Sequence, residues 1–296
     1  MNGYLAFRYK GTWKVPAGVT KAVVTFRSAL FRVSMNKASH FVDENGLLWG
    51  TGDAFSGNLG DGTNVSKSFP INLASAKRWI ACGTGEDHGI AIEQVTGIAY
   101  CWGSASGFGF NIGDGTIIPK STPTAVAGGR RYIACDVGSN NGAALEKDTL
   151  NLFMWGGNFY GGVGDGTTTG RSSPVAVAGM RRVIGFDVGV SHTGMIDVNQ
   201  DLYTWGDGLS GKLGHGTGNE VSSPTLVVGG KKWLKVAVGN NHTMGLTTDF
   251  DVYVWGSHSF GQIGNGVPGS YSVEYSSPVL VAGGRKYIDI AASNDS

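Results

Sequence analysis

Residues 202–224 read LYTWGDGLSGKLGHGTGNEVSSP. A short aromatic strand ends in Trp205-Gly206, a loop follows that is punctuated by Gly208, Gly211, Gly214 and Gly216, and a Ser-Ser-Pro leads into another strand. The phrase is repeated along the chain. Trp-Gly stands at Trp49-Gly50, Trp102-Gly103, Trp155-Gly156, Trp205-Gly206 and Trp255-Gly256, at intervals of 53, 53, 50 and 50 residues. Self-similarity at a period near fifty marks an array of one supersecondary unit, and such units bury their faces against one another.

Phased on prolines, each period opens at Pro70, Pro123, Pro174, Pro224 or Pro278, because a proline is tolerated at the first residue of a strand, where its missing N–H is not needed. An apolar strand, a glycine turn, a basic pair and a second strand follow. Next come a Gly-x-x-His turn (Gly189 to His192, Gly239 to His242), a third strand, a short polar turn and a fourth strand ending in Trp-Gly. Four short strands at roughly ten-residue spacing describe an antiparallel blade, and no segment sustains the 3.6-residue period of a helix.

Composition agrees with a folded chain. Of 296 residues 41% are hydrophobic and 15% charged, and 50 glycines against 8 prolines indicate many tight turns without a collagen register. The net charge of +1 supplies no global field for nucleic acid or an anionic membrane. Cys82, Cys101 and Cys135 show no metal-ligand spacing and read as buried reduced thiols. No window approaches the roughly 20 apolar residues of a membrane span, and the N-terminus lacks the apolar stretch of a signal peptide. A protein made in the cytoplasm and soluble is expected.

The pattern R-Y-I-x-V-x-x-G-x-x-H-T-x-x-L, then L-Y-x-W-G-x-x-x-x-G-x-[LIV]-G-[DHN]-G-T and S-S-P, runs from about residue 31 to the end and resembles the regulator-of-chromosome-condensation (RCC1) repeat. That resemblance implies an all-β propeller. The family's best-known member closes seven blades, whereas five Trp-Gly strands occur here, and Asn141 stands where the third copy would carry histidine. Near the start, GTWKVPAGVTKAVVTF (residues 11–26) resembles an N-terminal strand motif of phage tail-fibre proteins and glycine-rich bacterial surface proteins.

The expected architecture is a propeller of about five four-stranded blades over residues 31–296, with residues 1–30 packed outside as extra strands; a sixth blade built with residues 1–30 is the alternative. The phase of the ends predicts closure. Residues 278–291, from Pro278 to Ala291, should pair with residues 39–49 in one composite blade.

Few residues suggest chemistry. The Gly-Asp-Gly-Thr loops at 60–63, 113–116 and 164–167 lack the Lys-Ser/Thr of a phosphate loop and the alternating carboxylates of a calcium loop; with His215 and Asn265 at the aspartate position they read as turns. His88, His192 and His242 share one repeat position and would form a metal centre only if they converged; the reading preferred is that each caps its own glycine turn, since Asn141 stands at that position in the third copy without disturbing the repeat around it. No cofactor, metal or catalytic constellation is expected. The basic pairs Lys77-Arg78, Arg130-Arg131, Arg181-Arg182, Lys231-Lys232 and Arg285-Lys286 fall, by strand parity, on one face together with the acidic turns, as a solvated mixed-charge ring or a docking rim for an acidic partner.

These features describe a non-enzymatic structural or recognition propeller that binds a protein or glycan, with a virion component such as a phage tail, fibre or capsid decoration as the favoured setting. A homo-oligomer is compatible with it. The alternative is a cytoplasmic regulator of a small GTPase, of the guanine-nucleotide exchange type, which the RCC1 resemblance permits.

Overall fold

The structure, a computed structural model, describes residues 38–104, 112–271 and 273–292. The strands expected over residues 1–30 lie outside that range. Five antiparallel sheets follow one another along the chain. The first holds β1 (Ala38–Val42), β2 (Leu48–Gly52) and β3 (Lys67–Asn72). The second holds β4 (Trp79–Thr84), β5 (His88–Glu93), β6 (Ala99–Gly103) and β7 (Lys120–Ala125). The third holds β8 (Tyr132–Val137), β9 (Asn141–Glu146), β10 (Leu152–Gly156) and β11 (Arg171–Ala176). The fourth holds β12 (Val183–Val188), β13 (His192–Asp197), β14 (Leu202–Gly206) and β15 (Val221–Leu226). The fifth holds β16 (Trp233–Val238), β17 (His242–Thr247), β18 (Val252–Ser257) and β19 (Glu274–Leu280). Among the described residues the only helical turns are of 3-10 type, Phe55–Gly57 and Leu209–Gly211.

The blade begins one strand later than the proline phasing expects. Each proline strand pairs with the preceding Trp-Gly strand and ends a blade, as β15 does on β14. Pro278 accordingly lies in β19, paired with β18, and takes no part in a composite blade.

Residues 287–291 form no ladder with residues 39–49 in the described structure. Tyr287 nevertheless donates its backbone N–H to Phe250 O at 2.9 Å. Trp79, Tyr132, Val183 and Trp233 make the same bond from the start of their blades to Gly46, Gly97, Leu150 and Gln200. Residues 287–292 therefore sit on the fifth blade as a sixth first strand would, with Lys235 Nζ donating to Asp289 Oδ1 and Ile290 O, both at 2.5 Å.

Trp49-Gly50 is not the first copy of the repeat. In the other blades the glycine at φ near +110° is the one after tryptophan (Gly103 +111°, Gly156 +112°, Gly206 +108°, Gly256 +109°), and in the first blade it is Gly52 at +108°. The ladder irregularity agrees, falling between Gly50 and Gly52 as it falls between Thr204 and Gly206. Thr51 thus occupies the tryptophan place, and Trp49 the place of Tyr203. Trp102, Trp155, Trp205 and Trp255 are fully buried, whereas Trp49 is half-buried with Nε1 donating to Asp43 Oδ2 at 3.0 Å.

Blades pack flank to flank. Second strands are covered on both sides and read as apolar runs, Ile90-Ala91-Ile92 and Ala143-Ala144-Leu145, without alternation. One core joins Ala81, Ile90 and Ile92 of the second blade to Tyr132, Val137 and Trp155 of the third. First strands are also tied directly, since Val188 N–H donates to Asp136 Oδ2 at 2.9 Å and Val238 N–H to Asp187 Oδ2 at 2.5 Å. The three cysteines are free and buried, and burial pushes the Cys82 thiol up to about 12, so it is no nucleophile at neutral pH.

Candidate interaction faces

Because every ladder is antiparallel, the connections alternate between two faces. The linker face carries the blade-to-blade connections and the turns between second and third strands. The loop face carries the histidine turns and the long loops after Trp-Gly. Moving the phase by one strand leaves this parity unchanged, and the ion pairs below place the basic pairs and the acidic turns together.

Four of the five basic pairs divide their work. The first member folds onto the aromatic of the third strand in the blade it precedes: Lys77 over Tyr100 at 4.6 Å, Arg130 over Phe153 at 4.1 Å, Arg181 over Tyr203 at 4.3 Å, Lys231 over Tyr253 at 4.2 Å. Lys77 and Arg130 also reach acids of the same blade, Glu93 at 3.5 Å and Glu146 at 2.7 Å. Tyr100 first, and then Glu93, hold the Lys77 ammonium above its usual pKa. The second member points outward. Lys232 and Lys286 reach back to the preceding blade, to Asp201 at 2.7 Å and Asp251 at 2.8 Å. Arg78 bonds only the carbonyls of Ser75 and Lys77, both at 3.1 Å. Arg131 and Arg182, and also Arg285, the first member of the fifth pair, are exposed and, among the described residues, form no ion pair.

On the loop face the Gly-Asp-Gly-Thr aspartates close turns. Asp61, Asp114 and Asp165 accept from the backbone N–H of Thr63, Thr116 and Thr167 at 2.8, 2.8 and 3.0 Å. Each also pairs with the cation that starts the fourth strand: Lys67 at 3.3 Å, Lys120 at 3.1 Å, Arg171 at 2.6 Å. Where the aspartate is replaced the cation goes too. His215 faces a blade with Val221 at that place, and Asn265 donates to Tyr275 OH at 2.8 Å.

His192 does not cap its own turn. His192 Nε2 lies 2.7 Å from Thr243 Oγ1 in the next blade, and that hydroxyl donates to Lys212 O at 2.8 Å. Asn141 Nδ2 instead donates to Gly157 O within its own blade. Among the described residues no three metal-binding side chains gather.

Two polar features, one partly and one fully buried, were not legible as such in the sequence. His40 packs edge-on against Trp102 at 5.0 Å, with Nδ1 3.0 Å from Thr84 Oγ1. It matches Ile90 in register, because Ala38 pairs with Gly52 as His88 pairs with Gly103. Lys212, fully buried, donates from Nζ to Asp207 Oδ2 at 2.6 Å and Ser191 Oγ at 3.1 Å. The one sequence cue is a lysine where the fifth blade has Gln262 and the third Gly162.

The sequence profile of the Regulator of chromosome condensation (RCC1) repeat matches residues 151–196, 199–246 and 251–296, and a second profile of that repeat matches residues 233–262. The chain carries RCC1 repeats over residues 151–296 and has the fold of an RCC1-like β-propeller.

Its likeness to solved structures extends over most of the chain. The crystal structure of human WBSCR16 superposes with a TM-score of 0.71 at 19% identity, covering 88% of this chain and 68% of that one. Yeast RCC1 (Prp20) in its complex with Kap60 superposes with a TM-score of 0.68 at 19% identity, over 84% of this chain and 60% of that one. Prp20p from Saccharomyces cerevisiae, in work describing its binding to Gsp1p and histones, gives a TM-score of 0.52 at 18% identity, over 88% and 79%. In sequence, the E3 ubiquitin-protein ligase HERC2 of Homo sapiens is 29% identical over 156 residues, 51% of this chain. The RCC1-repeat propeller matches only 3% of the length of that ligase. No helix among the described residues is long and apolar enough to cross a membrane.

Proposed function

We propose that this propeller is a non-enzymatic recognition module that binds a protein through its linker face, as a component of a virion. The observation that carries the docking assignment is the unequal use of the basic pairs. The first members of four pairs, Lys77, Arg130, Arg181 and Lys231, are spent on aromatic and acidic neighbours, while Arg78, Arg131 and Arg182 of three consecutive linkers, and Arg285 of the fifth pair, form no ion pair among the described residues. Exposed guanidiniums without a carboxylate partner suit bidentate recognition of carboxylates on an acidic partner. The repeat residues that could have carried chemistry, Asp61, Asp114, Asp165 and His192, are engaged in turns and seams. The virion setting is supported by the tail-fibre resemblance of residues 11–26.

The test is co-purification with particles from the source, comparing wild type with a variant carrying Arg131→Glu and Arg182→Glu. A docking face predicts loss of incorporation with folding intact, and binding that weakens steeply with ionic strength over a Debye length of about 10 Å at 0.1 M. Particle association by the reversed variant at wild-type strength and independent of salt contradicts the assignment. A second reading, regulation of a small GTPase, draws on the likeness to Prp20p; faster nucleotide release from a small GTPase in the presence of the protein would establish it.

A further inference from the structure

The first strands line the inside of the propeller. β4 touches β8, β8 touches β12 and β12 touches β16, whereas the last strands β3, β7, β11, β15 and β19 contain no buried residue. Contact between first strands is closest at their loop-face ends. There Val188 and Val238 donate their N–H groups to Asp136 and Asp187 of the preceding blade. Just beyond, a Cβ added to Gly138 would collide with Gly189 O, and one added to Gly189 would stand 2.8 Å from Gly239 O. Nearer the linker face the strands leave room: a Cβ added to Gly185 of β12 would meet nothing within 4 Å. The inside of the propeller therefore narrows toward the loop face and opens on the linker face.

That opening carries one aliphatic residue per unit, set there by a β-bulge. In β12 Val183 pairs with Asp197 and Gly185 with Ile196, which leaves Ile184 between them without a ladder partner. Ile80, Ile133 and Leu234 are skipped in the same way in β4, β8 and β16. A bulge re-aims the side chain it inserts. The residue before it is buried in every case, as Trp79, Tyr132, Val183 and Trp233, whereas Ile80 is 37% and Leu234 43% exposed, and Ile133 and Ile184 are half-buried. Ile288 holds the same place in residues 287–292 and is 86% exposed.

Each bulge residue stands two positions beyond an outward cation, as in Arg78-Trp79-Ile80, Arg131-Tyr132-Ile133, Arg182-Val183-Ile184 and Lys232-Trp233-Leu234. Single exposed aliphatics are ordinary, but one repeated at the same bulge of every four-stranded blade, around one opening, makes an apolar centre of the kind that meets a partner. The cations beside it form a basic rim. An apolar centre inside a charged rim is the layout of a binding hot spot, and its complement is a segment that presents a bulky apolar side chain between carboxylates.

We infer that the linker-face opening seats a leucine- or phenylalanine-sized side chain of an acidic partner segment against the bulge residues of adjoining first strands, Ile184 and Leu234 foremost, while Arg131 and Arg182 hold the flanking carboxylates. This rests on the reading of the linker face as the docking face, and adds to it what the partner must present.

The test is fluorescence anisotropy of the full chain with three labelled pools of short peptides. One has Asp or Glu flanking a central Leu or Phe, one the same flanks around Ser, and one Lys flanking Leu or Phe. The acidic pool with the apolar centre should bind about ten-fold tighter than either of the others, the change that seating one large apolar side chain supplies. Ile184→Ser combined with Leu234→Ser should abolish that preference, and the loop-face substitution Leu209→Ser should leave it intact, both variants keeping the wild-type unfolding transition. Leu234→Ser alone, at an exposed position, serves if the pair unfolds, and should still reduce the preference. Two acidic pools bound equally, and both weakened by Arg131→Glu with Arg182→Glu, would overturn the anchor while leaving the docking reading in place. A preference for the apolar centre that survives Leu234→Ser would put the anchor elsewhere and overturn the inference. Acidic and basic pools bound equally would overturn both readings. Binding by no pool would overturn the anchor, and particle co-purification would then decide the docking reading on its own.

Discussion

The indole of Trp205 lies against Gly164 of the preceding blade. A Cβ added to that glycine would stand 2.5 Å from Trp205 Nε1, and the same Nε1 donates to Gly162 O at 2.9 Å. The relation repeats: Gly60 meets Trp102 and Gly113 meets Trp155 at 2.6 Å, and Gly214 meets Trp255 at 2.7 Å. The first glycine of each Gly-[Asp/His/Asn]-Gly loop is thus the floor on which the next blade's tryptophan rests. In the fifth blade Gly264 meets only Val281, at 3.5 Å, and the first blade has Thr51 in place of the indole.

Replacing Gly164 with alanine should therefore cost more than its backbone conformation alone. At φ +76° an L-residue is strained by about 1–2 kcal/mol, and the methyl must also displace the indole, adding about 1–3 kcal/mol of overpacking. Gly229, at φ +102° with open space around it, is the control. Denaturant unfolding should rank Gly164→Ala well above Gly229→Ala, and equal costs would show that the indole yields freely.

The buried Lys212–Asp207 pair should respond as a unit. Removing one charge strands the other, so Asp207→Asn or Lys212→Met alone should destabilise by about 3–5 kcal/mol. The double variant that combines Asp207→Leu with Lys212→Met should recover most of that loss, because two apolar groups need neither desolvation nor partners. A double variant as unstable as the sum of the singles would indicate that shape, not charge, is what the site requires.

Acid should weaken the fold before the carboxylates titrate. Burial lowers His40 and His88 from 6.5 to about 4. Between those values the unfolded chain binds protons that the folded chain refuses, so stability is constant above about pH 6.5 and falls as pH drops toward 4. Each histidine contributes about 3 kcal/mol to that fall, at 1.36 kcal/mol per pKa unit. His88→Asn, the residue that the third blade carries as Asn141, should fold and flatten the profile of unfolding free energy between pH 6.5 and 4. A profile no flatter than wild type would place the pH sensitivity elsewhere.

Much of the propeller was legible in the sequence because its unit repeats and its turns are chemically marked. The four-stranded blade, the turn role of Asp61, Asp114 and Asp165, and the shared face of basic pairs and acidic turns all follow from spacing and parity. The blade boundary did not, since a proline at the start of a strand says where that strand begins and nothing about which sheet it joins; Pro224 sits in the last strand of its blade. Trp49-Gly50 misled for a related reason: a local dipeptide carries no register, and the decisive marker was Gly52, visible only as a backbone angle and a ladder partner. His192 was read as capping its own turn because its partner Thr243 is 51 residues away, a contact that only blade stacking creates.

The interlocking of blades through tryptophan is tested most directly by comparing Trp205→Ala with Trp49→Ala in equilibrium denaturation. Trp205, fully buried on the Gly164 floor, should lose about 3–5 kcal/mol. Trp49, half-buried in a tyrosine place, should lose clearly less. Equal losses, or a loss at Trp205 below about 1 kcal/mol, would contradict both the cross-blade lock and the reassignment of the first repeat.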